Sequence, residues 1–263
     1  MSGLEAAALG LIQGLTEFLP VSSSGHLVML EALLGIDNEG VVFEVALHVA
    51  TLASVLLFYR RRVAQLVAGA VLRRPDALRY VGKLALATLP AVLAVLAMGD
   101  FLEALFDSPA TAGVCLLLTG AILWTTRRST AHAVGAEPGW WAALLIGCAQ
   151  AFAILPGISR SGTTVAAALA LGVAPVAAAE FSFLMSVIAV GGAAVLKLPD
   201  LGVLPAGSIA PLLTGAAVAL VSGIAAIWLF VRLLRAQAFH HFAYYTWGAG
   251  ALFLLWLMRG QVL

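Results

Sequence analysis

Long apolar runs, separated by short polar segments, make up most of this chain. Six of them have the length and the apolar character of membrane-spanning helices. They cover residues 41–59, 81–98, 111–126, 175–196, 211–231 and 242–258. The pattern therefore predicts a polytopic membrane protein built from α-helices.

Two further apolar stretches, residues 4–34 and 140–173, are each interrupted near the middle by a cluster of proline, glycine and serine. Irregular backbone at membrane depth is tolerated only where it lines a polar cavity or is buried in protein. We therefore predict that both stretches form re-entrant helix-turn-helix hairpins. The alternative is an ordinary membrane crossing kinked at proline.

Composition agrees with a membrane protein and excludes one class of partner. Hydrophobic residues make up 62% of the chain and charged residues only 10%, whereas charged residues are about a quarter of an average soluble chain. With 14 basic and 13 acidic residues the net charge is +1. The cationic surface that nucleic-acid binding requires is therefore not expected.

The loop charges separate into two faces if the two hairpins do not cross the membrane. One face then collects eleven of the basic residues: Arg60, Arg61, Arg62, Arg73, Arg74, Arg79, Lys83, Arg127, Arg128, Arg232 and Arg235. The other collects most of the acidic loop residues: Asp37, Glu39, Asp100, Glu103, Asp107 and Asp200. By the positive-inside rule the basic face is cytoplasmic, which puts both termini outside. A kinked crossing would spread the basic clusters over both faces.

The two halves of the chain resemble each other. The segment LPVSSSG around Pro20 is echoed by LPGISRSG around Pro156, and a glutamine precedes each. Glu44 follows Pro20 by the same number of residues as Glu180 follows Pro156. Because one hairpin starts outside and the other inside, the copies are inverted in the membrane. Inverted repeats with broken helices place a binding site near the bilayer midplane.

These observations predict an all-α polytopic membrane protein with six transmembrane helices and two re-entrant hairpins in an inverted-topology repeat. Residues 1–263 form a single integral membrane domain, and the two repeats cover roughly residues 1–128 and 137–263.

Ionisable side chains at membrane depth are costly and therefore mark candidate functional positions. The chain has six of them: Glu17, His26, Glu44, His48, Arg160 and Glu180. Gln13 and Glu17 are one helical turn apart and so share a face, which suits an oxygen-ligated Mg²⁺ or Ca²⁺. A polar helix face bonded to its neighbours is the simpler alternative for this pair. Glu44, His48 and Glu180 are candidate supporting residues. Glu44 would orient His48, one turn away, or compensate the charge of Arg160; alternatively, both glutamates would accept hydrogen bonds from the hairpin tips.

The hairpin turns carry the more specific pattern. Hydroxyls and a glycine just before a short helix form an anion site from backbone N–H groups and the positive helix end. The hydroxyls are Ser22, Ser23 and Ser24 in the first turn, and Ser159, Ser161 and Thr163 in the second. His26 adds a group that exchanges protons near neutral pH, and Arg160 adds a planar fork for phosphate oxygens.

The segments Gln13-x-x-x-Glu17, PVSSSGH from Pro20 and PGISRSGT from Pro156 look like the signature motifs of the bacterial undecaprenyl-diphosphate phosphatases, the bacitracin-resistance family. The resemblance covers essentially the whole chain. One position departs from the commonest form, since Gln13 replaces the first carboxylate of the family's Glu-x-x-x-Glu pattern. Gln13 should therefore be the weaker metal ligand, and Glu17 carries more of that role.

The resemblance implies hydrolysis of undecaprenyl diphosphate to undecaprenyl phosphate, which recycles the lipid carrier for peptidoglycan synthesis. Arg160 and a divalent cation on Glu17 would neutralise the diphosphate. His26 would act as general base, activating either Ser23 or a water, and the sequence leaves both routes open. The remaining hydroxyls, Ser22, Ser24, Ser159, Ser161 and Thr163, would bind phosphate oxygens.

The resemblance also implies a multi-pass protein of the bacterial inner membrane, in contact with membrane lipids. We expect the active site to open to the outer face, because the first hairpin carries the candidate base and metal ligands and enters from that face. A homodimer is left open. A transporter or flippase of the lipid carrier or another anion is the competing class, because inverted repeats with broken helices are a transporter architecture. A phosphatase for other lipid diphosphates is a third, closer alternative.

Overall fold

A computed structural model describes residues 2–34, 41–197 and 209–260 of the chain. The described part contains α-helices and two short 3₁₀ turns and no β-strand. The helices are α1 (Gly3–Phe18), α2 (Ser23–Leu34), α3 (Val41–Phe58), α4 (Arg60–Val71), α5 (Pro75–Phe106), α6 (Pro109–Ser129), α7 (Trp140–Phe152), α8 (Arg160–Ala170), α9 (Pro175–Leu196), α10 (Ile209–Arg235) and α11 (Phe242–Gly260). The prediction of an all-α polytopic membrane protein is confirmed.

Four helices in the described residues, α5, α6, α9 and α10, are individually long and apolar enough to cross a membrane. Each covers one of the predicted spans. A fifth predicted span corresponds to α3, which meets the same criterion only together with α4, and the chain bends by 82° between the two. The sixth corresponds to α11, whose first turns contain Tyr244, Tyr245 and Trp247 and are less apolar. The count of six spans stays a prediction.

The hairpin formed by α7 and α8 enters and leaves at the same end of the molecule. The Gly135 N–H before α7 donates to the Gly172 carbonyl after α8 (2.8 Å), and the Ala174 N–H donates back to the Gly135 carbonyl (2.8 Å). A kinked crossing would place these two segments at opposite ends. The main-chain pairing therefore favours the re-entrant form.

The helix that follows the first hairpin, α3, starts at the same level as α1. Gly215 of α10 lies against both the Ala6 carbonyl of α1 and the Phe43 ring near the start of α3. Helices α1 and α10 pack so closely that a Cβ atom on Gly10 would overlap the Gly215 carbonyl. Glycine at both positions thus holds the first hairpin against a long membrane helix.

An aromatic cluster fixes the inner end of α1, where the first hairpin turns. The Phe18 ring packs edge-on against Phe183 of α9, with centroids 5.6 Å apart. Phe183 packs in turn against Phe230 of α10 at 5.0 Å. All three side chains are fully buried. Glu17 of α1, the residue before Phe18, is thereby held at a defined position beside α9.

Helix packing follows the order that an inverted duplication predicts. Helix α1 of the first hairpin packs on α10, and α7 of the second hairpin packs on α5. In the same way α3 packs on α10, and α9 packs on α5. The inverted repeat and its boundaries stay a prediction.

Two ion pairs connect helix ends on the faces that the charge pattern assigned. Arg62 at the start of α4 pairs with Glu180 near the start of α9 (2.8 Å). Lys197 at the end of α9 pairs with Glu44 near the start of α3 (3.7 Å). The first pair lies with the basic clusters and the second at the opposite end. Of the acidic residues assigned to that end, Asp37, Glu39 and Asp200 lie outside the described residues.

Candidate active site

A cavity of about 880 Å³ lies between α1, α3, α5, α9 and the tips of both hairpins. Its polar end is formed by residues of the two hairpin turns: Glu17, Ser22, Ser23, Ser24, Ser159 and Arg160. Its walls are apolar and come mainly from α5 and α9, including Val92, Val95, Leu96, Ile188, Val195 and Leu196. The cavity is therefore amphipathic, with Glu17, Arg160 and the hydroxyls at the hairpin tips and a second charged pair, Glu44 and Lys197, elsewhere in its lining.

The Glu17 carboxylate is the point at which the two hairpins meet. Its Oε1 atom accepts a hydrogen bond from Arg160 Nη2 at 2.7 Å. Its Oε2 atom accepts from Ser23 Oγ at 2.9 Å and from Gln13 Nε2 at 3.2 Å. Only 9% of the Glu17 side chain and 16% of the Arg160 side chain are exposed. A desolvated ion pair thus joins residues that are far apart in sequence, as the inverted repeat predicts for hairpin tips.

The first hairpin turn is closed by Ser22, whose φ of 68° lies in the left-handed region that serine rarely adopts. The turn directs Ser22 Oγ back to accept from the Gly25 N–H (3.2 Å) and places it 3.3 Å from Ser24 Oγ. Strained backbone of this kind is concentrated at functional sites. Here it places Ser23 at the first position of α2, beside Glu17.

The second turn repeats this hydrogen-bond pattern. Ser159 Oγ caps α8 by accepting from the Gly162 N–H (3.2 Å), and it lies 3.3 Å from Ser161 Oγ. Ser159 and Ser161 thus correspond to Ser22 and Ser24. Ser159 lies three residues after Pro156, whereas Ser22 lies two residues after Pro20, so the second turn contains one extra residue. The extra residue is accommodated at Gly157, where φ is +94°.

Thr119 of α6 supports the second turn and was not predicted from the sequence. Its Oγ1 donates to the Gly157 carbonyl (2.7 Å) and accepts from the Ser159 N–H (3.1 Å). A Cβ atom on Gly157 would overlap the Ala112 carbonyl, so that the turn fits against α6 only with glycine there. A threonine within an apolar span is a weak signal, since threonine also bonds to its own helix.

The predicted hydroxyls separate into two groups. Ser22, Ser23, Ser24 and Ser159 line the cavity. Ser161 instead lies 3.4 Å from the Leu19 carbonyl of the first turn. Thr163 is buried, and its Oγ1 has no partner among the described residues. Ser161 and Thr163 are therefore not among the residues that face the cavity.

His26 does not form the predicted pair with Ser23. Its Nδ1 lies 2.8 Å from the Ser22 carbonyl and its Nε2 lies 2.7 Å from the Tyr245 hydroxyl of α11. The two rings stack with centroids 5.7 Å apart. Because a carbonyl only accepts, Nδ1 carries the proton and Nε2 accepts from Tyr245. His26 is not among the cavity-lining residues, and Ser23 donates to Glu17 instead.

This geometry predicts a mild effect for His26→Asn. The Asn amide is able to replace the bond to the Ser22 carbonyl, so we expect at most about a tenfold loss of activity, close to that of Tyr245→Phe, which removes one hydrogen bond. A general base at His26 would instead cost about two to four orders of magnitude in kcat. Steady-state turnover of both variants separates the two cases, and a loss of that size in His26→Asn alone would contradict our assignment.

The supporting residues occupy different places from those predicted. Glu180 accepts from Arg62 and, at 3.3 Å, from the Tyr80 hydroxyl, at the basic end of the molecule. Glu44 pairs with Lys197 and lines the cavity. Neither glutamate has a hydrogen bond to a hairpin tip among the described residues. His48 lines the cavity with its Nδ1 bonded to the Glu44 carbonyl at 3.0 Å.

The side chains at the polar end do not by themselves form a divalent-cation site. Among the described residues, no group of three or more His, Cys, Asp or Glu side chains is placed to hold a metal ion. Mg²⁺ and Ca²⁺ take six or more oxygen ligands. Glu17 supplies one carboxylate, both of whose oxygens already accept hydrogen bonds, and Gln13 turns its amide nitrogen towards it. The predicted cation on these two residues stays a prediction.

A cavity between membrane helices, with apolar walls and with a carboxylate, an arginine and several hydroxyls at the hairpin tips, has the shape and polarity that suit an amphipathic anion. A family model described as "Bacitracin resistance protein BacA" matches residues 6–252. The chain belongs to this family and is a multi-pass membrane protein, which confirms the resemblance found in the motifs.

Relatives align over nearly their whole length. The chain is 40% identical to an "Undecaprenyl-diphosphatase" of Alcanivorax borkumensis, over 98% of this chain and all of the relative. It is 40% identical to one of Rhodopirellula baltica, over 97% and 98% of the two chains. It is 37% identical to one of Desulfatibacillum aliphaticivorans, over 97% and 99%.

Proposed function

We propose that this protein hydrolyses undecaprenyl diphosphate to undecaprenyl phosphate and inorganic phosphate, and so recycles the lipid carrier for peptidoglycan synthesis. The observation that carries the proposal is the Glu17–Arg160 pair at the polar end of an apolar cavity within membrane helices. A lipid diphosphate has the matching shape, with a charged head and a long apolar chain. The names of the relatives support the same activity.

The prenyl chain would lie along the apolar walls contributed by α5 and α9. Leu96 of α5 and Leu196 of α9 line the cavity, yet these residues are 79% and 77% exposed. The walls therefore continue to the lipid-facing surface of the molecule. The lipid substrate is able to enter from the bilayer without leaving it.

Arg160 is the group best placed to bind the diphosphate. Its Nη2 donates to Glu17, while its Nη1 is buried without a partner among the described residues. A buried guanidinium N–H with no acceptor is unfavourable, and a phosphate oxygen supplies the missing acceptor. Arg160 also begins α8, where free backbone N–H groups favour an anion.

Ser23 is the proposed nucleophile and Glu17 its proton acceptor. Ser23 Oγ already donates to Glu17 Oε2 at 2.9 Å. In the first step Oγ bonds to the terminal phosphorus, the bond to the bridging oxygen breaks, and the Ser23 proton passes through Glu17 to the departing undecaprenyl phosphate. In the second step water attacks the phosphoserine, its proton passes through Glu17 to Ser23 Oγ as the bond between Oγ and phosphorus breaks, and inorganic phosphate leaves. The alternative is direct attack by water with the same acceptor.

Gln13 and Glu17 would hold a divalent cation only together with the bound substrate, and the cation would help to neutralise the diphosphate charge. The diphosphate oxygens would supply the ligands that Gln13 and Glu17 lack, so Mg²⁺ or Ca²⁺ would be carried in by the lipid head. We therefore expect a chelator to lower the rate without changing the thermal stability of the free protein.

Phosphate release tests the proposed function directly. Purified protein in detergent should release inorganic phosphate from undecaprenyl diphosphate, and Arg160→Ala should release none above background. The same assay with a short-chain prenyl diphosphate compares lipid substrates. A wild-type protein that binds or moves the lipid without releasing phosphate would establish a carrier and contradict the proposal.

The active site is proposed to open to the outer face of the inner membrane. Glu44, Lys197 and Phe106 line the cavity and lie at helix ends opposite to the basic clusters. By the positive-inside rule those ends are outside.

Cysteine labelling checks this orientation. In a Cys148→Ala background, which removes the exposed cysteine, Asp107→Cys should react with an impermeant thiol reagent in intact cells. Arg128→Cys should react only after the cells are permeabilised. Labelling in the reverse order would contradict the orientation.

A further inference from the structure

Gln150 is a buried polar residue in the cavity wall that takes no part in the reaction steps proposed for Ser23, Glu17 and Arg160. It lies near the end of α7, is only 3% exposed and lines the same cavity as Glu17 and Arg160. Its Nε2 donates a long hydrogen bond (3.5 Å) to the Ala87 carbonyl of α5. Its Oε1 is buried without a partner among the described residues. A buried acceptor with no donor is unfavourable for folding, and such groups call for a functional explanation.

The orientation of this amide is fixed by its surroundings. Only the amide nitrogen is able to donate to the Ala87 carbonyl, so Oε1 is the end left free. Gly147, one turn earlier in α7, lies so close to Ala87 that a Cβ atom there would overlap its carbonyl. Helices α5 and α7 are thus in close contact at this level, and the Gln150 amide has little freedom to move away.

Comparison with the first hairpin shows that Gln150 is not simply the repeat copy of Gln13. Gln13 donates to Glu17 one turn further along its helix. The residue one turn after Gln150 is Ile154, which offers no acceptor. The second glutamine therefore presents an acceptor to the cavity, whereas the first uses its donor to hold the carboxylate.

We propose that Gln150 Oε1 accepts a hydrogen bond from the water that attacks phosphorus, and so positions that water. The inference rests on the proposed function. A deprotonated diphosphate presents acceptors and does not satisfy a free amide oxygen, whereas water donates to it. Both routes consume one water: its oxygen bonds to phosphorus, its proton passes to Glu17, and the bond to Ser23 or to the bridging oxygen breaks. Positioned water raises the rate without adding to substrate affinity.

Gln150→Leu tests the proposal in the full-length protein. Leucine has a similar volume and removes the unpaired oxygen, so thermal stability should be unchanged or higher. The kcat should fall about 10- to 100-fold, while KM and the affinity for a methylene-bridged prenyl diphosphonate stay within about twofold. Thr88→Val is the matched control. Thr88 is also a buried polar residue in the wall, but its hydroxyl bonds to the Leu84 carbonyl of its own helix, and its kcat should not change.

Three results would overturn the inference. The first is a Gln150→Leu enzyme with kcat within about threefold of wild type. The second is a slower enzyme with weaker binding of the diphosphonate, which would make Gln150 a substrate ligand. The third is a slower enzyme with a lower Tm, which would make it a structural residue. The wild-type protein is assayed before any variant. If it does not release phosphate, that result contradicts the proposed function itself.

Discussion

Arg160→Lys should lower kcat/KM by about one and a half to three orders of magnitude, which corresponds to about 2 to 4 kcal/mol of transition-state stabilisation. Arg160 holds Glu17 with one guanidinium nitrogen and keeps the other free within the buried polar end. A lysine ammonium is a single point charge on a flexible stem and does not reproduce two directed donors. The loss should appear mainly in kcat, since charge alone retains part of the ground-state attraction. Steady-state phosphate release over a range of lipid concentrations gives both constants.

Arg62→Lys is the matched control for this prediction. Arg62 forms an equally short ion pair with Glu180 (2.8 Å), but at the basic end of the molecule and away from the cavity. About a third of its side chain is exposed, so the pair contributes little to stability. We expect activity within about threefold of wild type. Near-normal turnover in Arg160→Lys, or equal losses in both variants, would remove Arg160 from the phosphate and assign it a structural role.

The apolar pattern and the motifs were sufficient to predict the helical class and the meeting of the two hairpin tips, but not the ion pair between Glu17 and Arg160. Length and apolar character are physical requirements of a helix in a bilayer, so they are visible in any segment that meets them. The proline, glycine and serine clusters likewise interrupt helices for local backbone reasons. The inverted arrangement of two such clusters then places their tips together without any knowledge of side-chain packing.

The direction of the His26 ring was not predictable from spacing alone. Ser23 and His26 are three residues apart on one helix and so share a face. The ring is instead held by the Ser22 carbonyl and by Tyr245, which is 219 residues away in the chain. Partners of that kind depend on how α2 and α11 pack, and a single sequence gives no direct signal of that packing. The Thr119 contacts with the second turn have the same origin.

The partners of Glu44 and Glu180 show a further limit of reasoning from the repeat. The two glutamates occupy equivalent positions after the two prolines, and symmetry alone predicts the same role for both. The neighbouring segments differ, because α4 brings Arg62 to Glu180, whereas the end of α9 brings Lys197 to Glu44. One copy therefore forms an ion pair at the basic end and the other lines the cavity. Sequence symmetry predicts position in the fold but not the partner.

Ser23→Ala distinguishes a serine nucleophile from an activated water, and we expect it to reduce phosphate release to background. In the serine route the variant has no nucleophile. In the water route it loses one hydrogen bond to Glu17, which costs about 1 to 3 kcal/mol, or about one to two decades in rate. The 2.9 Å bond from Ser23 Oγ to Glu17 Oε2 favours the serine route, since the proton already points at its acceptor.

Ser24→Ala is the comparison variant. Ser24 follows Ser23 in the sequence and lines the same cavity, but its Oγ lies 3.3 Å from Ser22 Oγ. We expect it to lose about tenfold at most, which is the cost of one contact to phosphate. Wild-type enzyme quenched within the first turnover should also contain phosphate covalently bound to Ser23, detectable by mass spectrometry of the hairpin peptide. A Ser23→Ala enzyme only about tenfold slower than wild type, with no phosphoserine trapped, would eliminate the covalent route and leave Glu17 as the base for a water.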